Sequence, residues 1–303
     1  MVKRTRRYNR IRLNRDDKLF FFVAYAFLAL VFLAVLYPLV FTLSSSFSSA
    51  RAVSSGKVFL WPVEFSLEGY KTVLGYDMVL IGYGNTLFYT AAGTLINVSM
   101  TMIAAYGLSR RGMPFRGFIM FLFTFTMLFD AGLIPNYLVV KELGMINSRW
   151  AMLLPAAISA YNMIITRTFI INSIPEELRE AAEIDGCNDF TFFFRIVLPL
   201  SKAILAVITL YYAIVHWNSY FSAFLYLTDK QLFPLQIVLR DILISNTIDA
   251  NSIMDPELMA AKQGLADLLK YSLIVLSSVP MMFLYPFIQK YFVKGVMIGS
   301  VKG

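Results

Sequence analysis

The residues best suited to bind another protein lie in one charged loop, 173–199, which separates two strongly apolar segments. Its acidic residues are followed by a glycine: Glu176, Glu177, Glu180, Glu183, Asp185 and Gly186. Acidic side chains are favoured in the first turns of a helix, and a glycine commonly ends one. The loop is therefore predicted to form a short helix in water, and its chemistry is that of docking to another protein.

Both ends of this helix, and the chain beyond it, can also be predicted. Ser173 stands three residues before Glu176, which is the spacing of an N-terminal capping box. Gly186 would let the chain turn sharply into a second short helix, Asp189–Val197, ended by Leu198-Pro199. Ala181 and Ala182 have small side chains and would leave a low surface on this helix, so the backbone of another protein could approach it closely. The alternative interpretation is a polar connector with helical propensity.

Polar residues inside apolar segments are candidates for a substrate path, because they are costly in a membrane and usually face a cavity or a partner helix. The candidates combine carboxylate, imidazole, aromatic and amide groups: Asp130, His216, Trp217, Asn218, Tyr220 and Asn85. Aromatic faces and amide donors suit a sugar. For His216 and its neighbours the alternative is hydrogen bonding between packed helices. For Asp130 it is a position at the membrane interface.

No set of residues predicts catalysis by this chain. Ser55-Gly56-Lys57 lacks the upstream glycine and the following hydroxyl residue of a nucleotide-binding loop. The single cysteine, Cys187, excludes an internal disulfide, and no cysteine and histidine cluster indicates a metal site. The chain is predicted to be non-enzymatic and to hold no cofactor, so any ATP hydrolysis must come from another polypeptide.

The composition predicts a membrane protein. Of 303 residues, 58% are hydrophobic and only 15% are charged, well below the charged fraction of about a quarter in soluble domains. Apolar stretches of roughly 20 residues, the length that crosses a hydrocarbon core, begin near Leu19, Gly82, Gly117, Trp150, Ala203 and Ala266. We therefore predict an all-α protein with six transmembrane helices.

The distribution of basic residues predicts the orientation. With six spans, 18 of the 27 lysines and arginines lie on the side that holds both chain ends. Basic residues near span ends are retained in the cytoplasm, so both termini of this multi-pass cell-membrane protein are expected inside. The basic tail, 1–18, is then a topology signal and an anchor for anionic lipid, and the net charge of +8 does not indicate nucleic-acid binding.

These features divide the chain into segments. The predicted order is a cytoplasmic tail 1–18, a first transmembrane helix 19–43, an extracellular segment 44–80, a core of five transmembrane helices 81–290 and a cytoplasmic tail 291–303. A short helix is expected near Leu67 to Leu74 in the first extracellular segment, and a second such segment covers 228–263. The run from Asp130 to Pro135 should break the third span, and the fourth and fifth are expected at 150–171 and 202–226.

The spacing within the charged loop resembles a family signature. The pattern is Glu-Ala-Ala, three residues, Gly, nine residues, Ile, one residue and Leu-Pro. It is similar to the pattern in the membrane subunits of binding-protein-dependent ABC importers. The matching residues are Glu180, Ala181, Ala182, Asp185, Gly186, Ile196, Leu198 and Pro199. The resemblance implies a type I importer permease fold whose coupling helix docks into a partner ATPase. It also implies a second permease, two ATP-binding-cassette subunits that bind ATP and Mg, and an extracellular binding protein.

Two further segments resemble the carbohydrate-type, maltose-permease-like members. The first is the C-terminal run Gln289 to Gly295 with the terminal Gly299 to Gly303. In the family this tail reaches toward the ATPase pair, which implies contacts from Lys294, Gly295, Lys302 and Gly303. The second is the outer segment Ser55 to Tyr70, which looks like the subgroup that imports oligosaccharides derived from polysaccharides. The substrate implied is a sugar or oligosaccharide.

Two other classes remain as alternatives. An ion-coupled secondary carrier would need buried titratable residues, and Asp130 and His216 are nearly the only candidates. A membrane scaffold or sensor would carry out no transport.

Overall fold

A computed structural model describes residues 14–251 and 256–299, with side chains at 14–245 and 262–283. Every regular element in these residues is a helix, as predicted. The α-helices are α1 Arg15–Ser46, α2 Ala50–Ser54, α3 Glu68–Leu74, α4 Asp77–Ser109, α5 Arg116–Leu128, α6 Leu133–Glu142, α7 Trp150–Leu153, α8 Ala160–Ser173, α9 Glu176–Ile184, α10 Asp189–Phe192, α11 Leu198–Leu200, α12 Lys202–Trp217, α13 Tyr220–Tyr226, α14 Leu235–Asn251 and α15 Pro256–Gly299. A π-helix, Phe193–Val197, joins α10 to α11, and a 3₁₀ turn covers Lys230–Leu232.

Several helices are long and apolar enough to cross a membrane. Within the described residues three qualify as single helices: α1, α4 and the part of α15 from Lys262 to Phe283. Two bent pairs raise the number to as many as five: α5 with α6, at 119°, and Asp189–Leu200 with α12, at 81°. The predicted number of six transmembrane helices is not confirmed in this part of the chain.

The predicted break in the third span is confirmed. The α5 helix ends at Leu128, and α6 begins at Leu133 after an extended stretch. Gly132 has a φ of +84°, a backbone conformation that glycine adopts without strain. Pro135 lies in the first turn of α6, where its missing N–H leaves no hydrogen bond unmade.

The fourth span, expected at 150–171, is not one continuous helix. The chain forms a single turn, α7, and then leaves the helix until α8 starts at Ala160. Pro155 cannot donate a backbone hydrogen bond, and Ala156 follows it with a φ of +59°, which a helix cannot contain. The Ser159 side chain then accepts from the backbone N–H of Asn162 and caps α8.

The fifth span, expected at 202–226, is interrupted as well. The α12 helix ends at Trp217, and α13 begins at Tyr220. Between them, the Asn218 side chain donates to the carbonyl oxygen of Ile214 at 2.9 Å. An asparagine that bonds to nearby backbone in this way competes with helix continuation.

The outer elements agree more closely with the sequence. The α1 helix contains the whole predicted span 19–43, and α3 matches the short helix expected near Leu67 to Leu74. At the other end, α15 remains helical to Gly299 instead of giving way to a tail at 291. Lys294 and Gly295 lie in this helix, whereas Lys302 and Gly303 lie outside the described residues.

Two helices hold the bundle together. The α4 helix packs against α8, α12 and α14, and α15 packs against α1, α2, α3, α12 and α14. Buried side chains form two main clusters, of which Tyr89 of α4 joins one and Met102 of the same helix joins the other. The α1 helix lies at the periphery with its apolar side chains exposed, the arrangement expected where a helix faces lipid.

Candidate functional site

The charged loop folds as two short helices around a glycine turn, as predicted. The α9 helix ends in a Schellman motif, in which Gly186 N–H donates to the carbonyl of Glu183 at 2.9 Å and Cys187 N–H donates to that of Ala182 at 2.8 Å. Gly186 adopts a φ of +76°, the left-handed conformation that this motif needs. The prediction that Gly186 ends the helix is confirmed.

The predicted serine cap is wrong. Ser173 is the last residue of α8, and Pro175 occupies the N-cap position of α9, where no side chain makes a capping bond. Only Ile174 and Pro175 separate the two helices, so Ser173 is still helical where a cap would have to be extended. The first turn of α9 carries Glu176 and Glu177, as expected from the helix dipole.

The second helix extends slightly beyond its predicted end. The Asn188 side chain accepts from Thr191 N–H at 2.8 Å and caps α10. The helix then passes through the π-helical turn to Leu200. Pro199 lacks the N–H that would complete an α-helical turn, and the wider turn just before it accommodates this loss. At Ser201 the chain bends into α12.

The inner side of the loop is anchored in the bundle. Phe192, Phe193 and Val197 are buried in the cluster that also contains Met102 of α4. Three of the residues predicted to contact an ATPase are half-buried against the same cluster: Ala182, Ile196 and Leu198. Of the two alanines predicted to form a low outer surface, Ala181 is exposed and Ala182 is half-buried.

Ion pairs fasten the loop to the end of α4. Arg110 lies 2.9 Å from a carboxylate oxygen of Asp189 and 3.5 Å from one of Glu183. The Tyr106 hydroxyl donates to Asp189 at 3.0 Å. The loop is thereby attached to α4 by charge as well as by apolar packing.

Within α9, Arg179 bonds to the carboxylates of Glu176 and Glu183. The hydrogen bond to Glu176 raises the pKa of the Arg179 guanidinium above its usual value. The sequence analysis missed Arg179, although its spacing of three and four residues from the two glutamates is that of helical ion pairs. It also missed Arg110, which no local spacing connects to the loop.

The outer side of the loop combines carboxylates with solvent-exposed apolar side chains. Ile184 is 87% exposed and Phe190 is 79% exposed. Glu177, Glu180 and Ala181 are exposed on the same short helix as Ile184. Apolar groups left in contact with solvent on an otherwise charged surface typically mark a site of protein contact.

The ion pairs of Arg110 can be tested by a double-mutant cycle. Arg110→Gln and Asp189→Asn should each lower the thermal unfolding midpoint in detergent, and the double variant should lose less than their sum. The expected coupling is about 1 kcal/mol or less, because Asp189 is well exposed. Arg111→Gln removes the adjacent arginine, for which the described residues show no ion pair, and should leave the midpoint unchanged. Strict additivity would contradict the attachment.

Three of the predicted substrate-path residues are buried in contacts within the chain. Asn85 donates to the carbonyl oxygens of Gln231 and Phe233, at 2.7 and 3.1 Å. Trp217 Nε1 donates to the carbonyl of Ser277 at 2.9 Å and so ties α12 to α15. Both side chains therefore satisfy backbone carbonyls of neighbouring segments.

His216 is the third buried residue. Its Nε2 lies 3.0 Å from Oδ1 of Asn97, and the amide of Asn97 donates to the carbonyl of Ala156 at 3.2 Å. The pair therefore supports the non-helical turn between α7 and α8 from the side of α4. His216, like Asn85 and Trp217, thus makes its hydrogen bonds within the chain.

The other three candidates lie at breaks in the helices. Asp130 is exposed between α5 and α6, and Asn218 is exposed between α12 and α13. Tyr220 is half-buried at the start of α13 and lines a groove. The structure therefore does not bring the six candidates together into one site.

The comparisons with known proteins agree with this architecture. Residues 97–298 match the family described as the binding-protein-dependent transport system inner membrane component. The match covers most of the chain, and the chain belongs to this family. It is therefore a non-catalytic, membrane-spanning permease component of an ABC importer. Membership of this family does not support the ion-coupled carrier.

Individual relatives extend over nearly the whole chain. It is 41% identical over 287 residues to the polygalacturonan/rhamnogalacturonan transport system permease protein YtcP of Bacillus subtilis (strain 168), which covers 95% of this chain and 99% of that protein. It is 27% identical over 279 residues to the melibiose/raffinose/stachyose import permease protein MelC of the same organism, covering 91% and 94%.

A solved structure has the same fold. It is the crystal structure of a bacterial ABC transporter involved in the import of the acidic polysaccharide alginate, with a TM-score of 0.83 and 34% identity over 92% of this chain and 99% of that chain. This likeness confirms the predicted importer permease fold.

Proposed function

We propose that this chain forms, with a second permease, the pathway of a carbohydrate importer, and that loop 173–199 receives the movement of a partner ATPase. The sugar substrate is supported by relatives whose names describe import of polysaccharide-derived and smaller saccharides. ATP and Mg would be held by two ATP-binding-cassette subunits.

The single observation that carries this proposal is the two-sided construction of the loop. Its outer side presents Ile184 and Phe190 to solvent, while its inner side is packed and ion-paired to α4. A partner that moves the outer side would therefore move α4 with it, and also α12, which the loop joins at Ser201. Alternating access can follow from such rigid-body movement.

The proposal also fixes an orientation. Arg110, Arg111 and Arg116 lie in or beside the turn that meets the loop, and positive charge at a span end favours the cytoplasm. Both termini would then be cytoplasmic, with Lys294, Gly295, Lys302 and Gly303 directed to the ATPase pair. Segments 44–80 and 228–263 would face an extracellular sugar-binding protein.

The apolar outer side gives a direct test. Ile184→Glu and Phe190→Glu should each reduce co-purification of the ATPase subunits and ATP-driven sugar uptake in proteoliposomes by about tenfold, the loss expected on removing an anchor of an interface. Neither side chain supports the fold, so membrane insertion should remain normal.

Phe115→Asn is the matched control. Phe115 is 80% exposed in the neighbouring turn at a φ of +55°, a conformation that asparagine tolerates. This variant should keep both attachment and uptake. Unchanged attachment in both glutamate variants would refute docking through this surface.

A further inference from the structure

A groove of about 520 Å³ runs between α13, α14 and α15. Its polar lining comes from two facing helices. Gln236 and Arg240 stand four residues apart on α14, and Lys270 and Ser277 stand seven apart on α15, so each pair shares one helix face. Tyr220 of α13 completes the lining.

Arg240 is held against aromatic rings rather than against a carboxylate. Its Cζ lies 5.5 Å from the ring centroid of Tyr220 and 5.4 Å from that of Phe224, and the two rings are stacked. A cation beside aromatic faces is stabilised and oriented, and its N–H groups remain available for hydrogen bonds.

The hydrogen-bonding capacity of the groove is largely unused. Among the side chains that the structure describes, no carboxylate pairs with Arg240, and the amide of Gln236 has no partner. Lys270, in contrast, is paired with Asp267 at 2.7 Å. Among the described residues, the groove thus offers an uncompensated guanidinium and an unpartnered amide beside the ring of Tyr220, which stacks on that of Phe224.

We propose that this groove binds the carboxylate of an acidic, uronate-containing saccharide on its way through the permease. A guanidinium matches a carboxylate with two parallel hydrogen bonds. The Gln236 amide can both donate to and accept from sugar hydroxyls, and the rings supply flat apolar faces. An anionic lipid headgroup could pair with the guanidinium, but it has no sugar ring to pack on the aromatic faces and fewer hydroxyl groups to bond with the amide.

The proposal rests on the proposed import of carbohydrate and specifies its substrate class. The relatives are consistent with it, because the solved structure belongs to a transporter of the acidic polysaccharide alginate and YtcP is named for polygalacturonan and rhamnogalacturonan. Nothing in those names assigns a role to Arg240.

The test uses the complete importer, reconstituted with its companion permease, ATPases and binding protein. Radiolabelled trigalacturonate uptake and ATP hydrolysis are measured in parallel. Arg240→Gln should lower trigalacturonate uptake per ATP by about tenfold, while hydrolysis stimulated by the loaded binding protein changes by less than about twofold. Arg240→Lys keeps the charge but loses the planar fork, and should be intermediate.

Lys141→Gln is the matched control, because it removes an exposed positive charge on α6, outside the groove and outside the segments proposed to face the binding protein. It should leave uptake per ATP unchanged. Normal uptake per ATP by Arg240→Gln would overturn the proposal. If Arg240→Gln fails to assemble, Arg240→Lys decides: reduced uptake per ATP supports the site, and normal uptake overturns it.

Two further arms distinguish a saccharide from a lipid in the groove, and an acidic saccharide from a neutral one. Vesicles of phosphatidylcholine alone are compared with vesicles that also contain phosphatidylglycerol. An uptake defect of Arg240→Gln seen only with phosphatidylglycerol would assign the groove to lipid and overturn the saccharide site.

Raffinose serves as the neutral probe. ATP-driven uptake of raffinose without uptake of trigalacturonate would overturn the acidic-saccharide site but leave carbohydrate import standing. Uptake of neither saccharide, together with no ATP hydrolysis stimulated by the loaded binding protein, would refute the proposed function itself.

Discussion

Gly93→Ala is expected to destabilise the bundle by about 2 kcal/mol or more, as overpacking beside a buried hydrogen bond does. A Cβ at this position of α4 would lie 2.3 Å from Nε2 and 2.4 Å from Cε1 of His216. The imidazole is rigid and buried, and its bond to Asn97 holds it in place. Moving the ring away would break that bond and disturb the support of the turn at Ala156.

Gly84→Ala provides the control on the same helix. A Cβ there would meet nothing within 4 Å, so the substitution should be neutral or stabilising by about 0.5–1 kcal/mol through helix propensity. Thermal unfolding of both variants in one detergent measures the difference. Equal midpoints would contradict the close packing of His216 on α4.

A second-site change can confirm the cause. Removing the ring in Gly93→Ala/His216→Ala should make the double variant more stable than the sum of the single losses predicts, because the two sites share one contact. Additive losses would assign the damage at Gly93 to something other than the imidazole.

Local signals in the sequence predicted local structure well. Gly186 ends α9 and Gly132 interrupts the third span because a positive φ is a property of one residue and its neighbours. The turn at Pro155 depends on the same local property, but this proline stands within the apolar stretch 150–171, whose composition favours a continuous span. Asn218, predicted to lie on the substrate path, also interrupts a helix, because its amide bonds to the backbone of Ile214.

Contacts between distant segments could not be predicted in this way. His216 and Asn97 are both polar residues of apolar helices, and nothing in their spacing indicates that they bond to each other across α4 and α12. The sequence identifies Arg110 only as a topology signal, whereas the structure pairs it with Asp189 in the loop. Because one sequence does not specify such pairings, the loop itself could be recognised while the residues that anchor it could not.

The strongest functional effect is expected from the backbone conformation of Gly186. A β-branched residue at a φ of +76° is strained by about 1–2 kcal/mol, so Gly186→Val should open the Schellman turn and misalign α9 with α10. Uptake in proteoliposomes should fall about tenfold or more, since a small misplacement of a coupling element is costly. Gly186→Asn tolerates the left-handed conformation and should retain most of the activity.

The pair of variants separates two reasons for a glycine. A Cβ at Gly186 would meet nothing within 4 Å in the chain itself, so the cost of valine within the permease is conformational and not steric. Loss in Gly186→Val alone would therefore locate the requirement in the turn. Equal loss of uptake in Gly186→Asn would instead indicate that a docked partner packs against the glycine and leaves no room for a side chain. Full uptake by Gly186→Val would contradict both, because a loop that tolerates that distortion cannot be transmitting movement through this turn.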